Sequence, residues 1–160
     1  MSTTPETPPR SSGGIAIRPG QVVALVSAVV VVISGAMKWL DGNPGITGYN
    51  VPAKFLVDVE VVQEGASIGL LLVLFAVTGA LGALVPRLRW LCWIAGAAVL
   101  VVVALYVYQL GEFAEFVREA DPFAGDDLGR GDLTGVGVYV GAAAAIGLVV
   151  GGLLGRNREP

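Results

Sequence analysis

Four apolar stretches, each close to the length a helix needs to cross a bilayer, constrain this chain more than anything else in it: Val22 to Leu40, Gly65 to Val85, Trp90 to Leu110 and Gly135 to Leu154. A lipid interior offers backbone N–H and C=O groups no water, so about 20 apolar residues must satisfy them within one helix. Among the charged side chains only Lys38 falls inside these limits, two residues from the end of its stretch. With 54% hydrophobic and 14% charged residues and a mean hydropathy of +0.74, the chain is more apolar than a water-soluble fold. The expected fold is all-α: a four-transmembrane-helix bundle with two acidic outer loops that carry short surface helices.

Residues 1–20 are rich in Ser, Thr, Pro and Gly and have no apolar core. They read as a disordered cytoplasmic tail rather than a cleavable signal peptide, which leaves the first span as an uncleaved anchor. Residues 21–155 then form the transmembrane domain and 156–160 a short basic tail on the same side.

Orientation follows from charge. Arg10, Arg18, Arg87, Arg89, Arg156 and Arg158 fall on one side, and Lys38, Lys54, Arg118 and Arg130 on the other. The turn Pro86-Arg87-Leu88-Arg89 is short and basic, and such turns stay cytoplasmic. Both termini are therefore expected inside, at the plasma membrane, with Arg87, Arg89, Arg156 and Arg158 as topology determinants. The two long loops carry eleven of the 13 acids, which agrees with an outer location. Trp90 and Trp93 at the inner boundary and Trp39, Tyr106 and Tyr108 at the outer one are expected as interface anchors, since rings with one polar edge favour the headgroup layer.

The loops Asp41–Glu64 and Gly111–Thr134 are equal in length, a layout that resembles a duplicated hairpin. Direct identity between the halves is slight, so chance similarity of two helix pairs accounts for it. In the first loop DGNPGITGYN predicts consecutive turns. The following VPAKFLVDVEVVQE is ambiguous: Phe55, Val59 and Val62 recur at helical spacing, whereas Val57 to Val61 alternates as a strand does. A short surface helix is favoured, because a lone strand has no evident partner. In the second loop Leu110, Phe113, Phe116, Val117 and Ala120 line one helical face and Glu112, Glu115, Arg118 and Glu119 the other. The third span is thus expected to continue outward until Asp121-Pro122 stops it.

Sites of chemistry are sparse. The chain has no histidine and one cysteine, Cys92, which removes intramolecular disulfides and the commonest metal ligand. Cys92 is read as a packing residue, with S-palmitoylation as the functional alternative. Asp121, Asp126, Asp127 and Asp132 resemble a cation loop only in composition, and their spacing does not fit an EF-hand. No metal, other cofactor or nucleic-acid partner is expected.

The fourth stretch is the most patterned, with small residues at Gly137, Gly141, Ala145, Gly147 and Gly151. Small residues let helices approach closely in lipid, so this face serves either an oligomer or the other spans of the same chain. Gly79, Ala83 and Gly96 join Gly137, Gly141, Ala145 and Gly151 as expected core positions.

The run WLDGNPGITGYNVPAKFLVD, the Arg-x-Arg turn, a span ending YQL and a span opening GVGVYV resemble small four-span integral membrane proteins of actinobacterial type. The resemblance covers roughly residues 20–155. It implies a plasma-membrane protein and carries no catalytic or binding residue.

Transport usually needs ionisable groups or unwound segments at mid-depth, and the polar groups inside the stretches are only Ser27, Ser34, Ser67, Thr78 and Gln109. Outer acids such as Asp58, Glu60, Glu112 and Glu115 offer carboxylates for an enzyme, with nothing in the sequence placing two together. The expected role is therefore non-enzymatic: an accessory, assembly or interaction protein partnered by the bilayer and by another membrane protein or further copies of itself. A small oligomeric pore, holin-like or transporter protein is the alternative.

Overall fold

A computed structural model of the chain describes residues 18–41, 45–58, 65–120 and 130–154. Helix α1 spans Pro19–Ala36, a short hairpin pairs β1 (Lys38–Leu40) with β2 (Ile46–Thr47), and α2 spans Ile68–Leu84. Helix α3 runs over Trp90–Ala120, α4 is a single turn at Arg130–Leu133, and α5 spans Val136–Leu154. Single 3-10 turns occupy Ala53–Leu56 and Pro86–Leu88.

Local chemistry sets the helix ends. Proline opens α1, where its fixed φ suits the first turn and its missing N–H is no loss. The Ser67 hydroxyl caps α2 by accepting the Leu70 N–H at 3.2 Å. Helix α3 is helical as far as Ala120; the expected stop at Asp121-Pro122 lies outside the described residues.

Three helices, α1, α3 and α5, are long and apolar enough to cross a membrane. The second apolar stretch, Gly65 to Val85, is shorter than expected as a helix: α2 holds 17 residues, or about 25 Å at 1.5 Å per residue. Its outward face is nonetheless apolar, with Leu70, Leu74, Val77 and Leu81 exposed at helical spacing. Val22, Val26, Val29 and Ile33 do the same on α1, and Tyr139, Ile146, Val150 and Leu153 on α5. Contiguous apolar surface on this scale marks a membrane or protein contact.

The four longer helices pack in a ring, α1 beside α2, α2 beside α3, α3 beside α5 and α5 beside α1. Small residues make the seams thin. A Cβ built on Gly151 would lie 2.7 Å from the Ala24 backbone nitrogen, and one on Gly96 would lie 2.8 Å from the Ala145 carbonyl. The interior between the seams is filled by Val31, Ile68, Leu72, Val99 and Leu148, all fully buried. The seven expected core positions, Gly79, Ala83, Gly96, Gly137, Gly141, Ala145 and Gly151, are all buried.

Two expectations about the first loop are corrected. The helix of the first stretch ends at Ala36, four residues before Leu40, because the chain turns there to form β1. Strand β1 has partners on both edges: β2 on one, and an isolated bridge from Leu40 to Thr134 on the other. In place of a surface helix after Val51 there is one 3-10 turn; residues 59–64, which include Val59, Glu60 and Val62, lie outside the described residues.

Candidate functional site

The ring has two unlike ends. At one, the Pro86–Leu88 turn joins α2 to α3, and the Gln21 side-chain amide ties α1 to it by donating to the Ala83 carbonyl at 3.0 Å. Arg87 is exposed there and Arg89 half-buried, while Arg156 and Arg158 lie outside the described residues. Trp90 is exposed and Trp93 half-buried at this end.

The other end carries a built cap. The Asp41 N–H donates to the Leu133 carbonyl at 2.9 Å, and the Gly135 N–H donates to the Trp39 carbonyl at 2.8 Å, so the two loops are joined by backbone hydrogen bonds. The first loop is also fixed to the start of α2, through Gly69 N–H to the Gly48 carbonyl at 2.8 Å and Ile68 N–H to the Val51 carbonyl at 2.9 Å. Tyr49 lies across the α1–α2 seam, its ring against Gly35 and Gly69. A side chain at Gly69 would occupy the place of that ring, which is the reason for glycine there.

Inside the cap Trp39 and Tyr106 form the centre of an aromatic cluster. Their ring centroids are 5.0 Å apart at 70°, Phe55 lies 5.7 Å from Tyr106, and Phe113 lies 6.2 Å from Phe55. Edge-to-face pairs of this kind add about 0.5–1.5 kcal/mol each beyond simple burial. The expectation that Trp39 and Tyr106 anchor at a headgroup layer is therefore corrected: their relative exposures are 0% and 1%. The hairpin turns Trp39 inward, and its indole N–H is satisfied by the Ser34 carbonyl at 2.8 Å rather than by interfacial water. Tyr108, two residues on from Tyr106, is exposed.

Beside the cluster is an apolar pocket of about 220 Å³, lined by Leu40, Ile46, Val51, Pro52, Phe55, Tyr106 and Phe113, with Asn50 as its one amide side chain. Below it the buried Gln109 amide donates to the Leu56 carbonyl at 3.4 Å, linking α3 to the 3-10 turn.

The small-residue face of α5 packs within the chain. Gly137 faces Trp39 and the Ser34 carbonyl, Gly141 the Ser34 hydroxyl, Gly147 the Ser27 hydroxyl and Gly151 the backbone of Ala24. Ala145 is buried against α3 near Gly96. The thiol of Cys92 is likewise buried and donates to the Gly79 carbonyl at 3.3 Å, as its packing role requires.

Among the described residues no three His, Cys, Asp or Glu side chains come together as a metal site. Glu112 and Glu115 are exposed along α3 and Asp58 is exposed in the first loop. Asp121, Asp126 and Asp127 lie outside the described residues. Sequence reasoning missed Tyr49, Phe55 and the inward turn of Trp39. The available signal for Tyr49 was a pair of glycines, Gly35 and Gly69, on the two helices that its ring bridges.

No protein-family model matches this chain, and no curated protein or solved structure matches it.

Proposed function

We propose that this chain is a multi-pass plasma-membrane protein in which α1, α2, α3 and α5 all span, both termini face the cytoplasm, and the capped end faces out. Its role is that of a non-enzymatic accessory or assembly protein that holds a membrane-protein partner through the outer cap. One observation carries the reading: the cap is built as a fixed surface, with the two loops joined by backbone hydrogen bonds at Trp39, Asp41, Leu133 and Gly135 and α3 continuing to Ala120. Binding residues concentrate on loops that a rigid scaffold positions.

Helix α2 is short for a hydrocarbon layer of about 30 Å, a mismatch that local thinning and the flanking Arg87 accommodate at modest cost. The α5 glycines are used inside the chain, which leaves the cap rather than that face as the partner surface. A pore through one copy finds little support, because the ring interior is filled by aliphatic side chains and its buried polar residues are Ser27, Ser34 and Gln109.

Affinity purification in mild detergent tests the reading, with recovery of a stoichiometric membrane-protein partner as the expected result. The partner should be lost when exposed cap residues such as Tyr108 and Phe116 are changed to Ser. Recovery of the chain alone, together with solute leakage from proteoliposomes containing only this protein, would favour the oligomeric pore instead.

A further inference from the structure

We propose that the pocket in the cap binds the apolar end of a neutral amphiphile dissolved in the outer leaflet, a ring or short alkyl segment. The proposal rests on the reading that the helices are spans, but not on the existence of a protein partner. At about 220 Å³ the pocket is larger than the roughly 150 Å³ apolar cavity that takes up benzene. It is smaller than the roughly 300 Å³ at which drug-sized sites begin. Water held in a cavity needs roughly two to four polar partners, and these walls are almost wholly aliphatic and aromatic. Hydrocarbon is therefore the better occupant.

Depth selects the source. Counting from Trp90 along α3, Tyr106 lies about 24 Å and Phe113 about 34 Å away at 1.5 Å per residue. The pocket thus brackets the edge of a hydrocarbon layer about 30 Å thick, where the tail of an amphiphile enters while its head stays wet. Charge selects the head. Glu112 and Glu115 are exposed next to Phe113, with Lys54 exposed beside Phe55 and Lys38 exposed on β1, 3.7 Å from Asp41. These carboxylates disfavour an anionic headgroup and the two lysines a cationic one, which leaves a neutral head. The walls are held open, because Phe55 is fixed between Tyr106 and Phe113 and the Val51 carbonyl is bonded to α2.

The test uses the full chain in nanodiscs of phosphatidylcholine and an octyl alcohol carrying a diazirine. After irradiation, adducts are mapped by mass spectrometry. Labelling of residues 46–55 and 106–113 should saturate, and it should fall by about tenfold or more with excess unlabelled octanol or in Val51→Trp, which fills the pocket. Ile46→Trp, at a position already 38% exposed, should give the same loss without burdening the fold. Labelling that rises linearly with probe, resists competition and is unchanged in both variants would overturn the proposal. The partner purification above is read separately, so either result leaves that question intact.

Discussion

The indole N–H of Trp39 donates to the backbone carbonyl of Ser34 at 2.8 Å, and the Ser34 hydroxyl donates to the Val31 carbonyl at 2.7 Å. These two bonds tie the end of α1 into the floor of the cap. Trp39→Phe should keep much of the packing and lose the bond, costing about 1 kcal/mol, with part of that from a buried carbonyl left short of a donor. Trp39→Ala should cost about 3–5 kcal/mol. Thermal unfolding of the detergent-solubilised protein measures both, and equal melting temperatures for all three proteins would contradict the arrangement.

Substitution along the α1–α5 seam should be graded by distance. Gly151→Leu places its Cβ 2.7 Å from the Ala24 nitrogen, and Gly147→Leu meets the Ser27 hydroxyl, so both should separate the helices and lower the melting temperature sharply. Gly141→Ala, 3.2 Å from the Ser34 hydroxyl, should be milder, and Gly131→Ala, with nothing within 4 Å, should be close to neutral. A flat series would mean that the seam is not the close contact described.

Cys92 should stay unlabelled by maleimide in the folded protein and react after denaturation, since its thiol is buried and bonded to the Gly79 carbonyl. Rapid labelling of the folded protein in detergent would refute this packing. Cys92→Ala removes the only native thiol and should be tolerated at a cost of about 1 kcal/mol, in line with loss of a single buried polar contact.

On that Cys92→Ala background, single cysteines report orientation. Lys54→Cys should be modified by an impermeant maleimide added to intact cells, and Arg87→Cys only after permeabilisation. The reverse pattern, or labelling of both from outside, would remove the proposed topology.

Phe55→Ala should detach the first loop from α3, because Phe55 bridges Tyr106 and Phe113 and is 7% exposed. Hydrogen exchange at the amides of residues 53–56 should accelerate at least about tenfold while the amides of α1 and α5 are unchanged.

The helices were legible because their signal is local: long apolar runs, with the amphipathic Leu110, Phe113, Phe116 and Val117 pattern carrying α3 outward past the apolar stretch. The seams were legible too, since Gly79, Gly96 and Gly151 declare close approach by lacking a side chain. The cap was not. Trp39 at the end of an apolar run looks the same from the sequence whether it faces headgroups or the interior. What turns it inward is pairing with Ile46–Thr47 and Thr134, partners up to the far loop that no periodicity announces. Strands β1 and β2 formed at Lys38–Leu40 and Ile46–Thr47, on either side of the turn-rich DGNPG segment, whereas most of the alternating Val57 to Val61 lies outside the described residues. The pocket depended on three separate segments meeting and had no signature at all.

Helix α3 passes from the arginine turn at Trp90 to Ala120 as one element, about 15 Å beyond Leu110 by its rise per residue. A rod of that kind has no joint at the membrane boundary. A load on the Glu112–Glu119 tip would therefore reach the opposite tip, beside Arg87 and Arg89, through the helix itself, which in the topology proposed above joins the outer cap to the cytoplasmic turn.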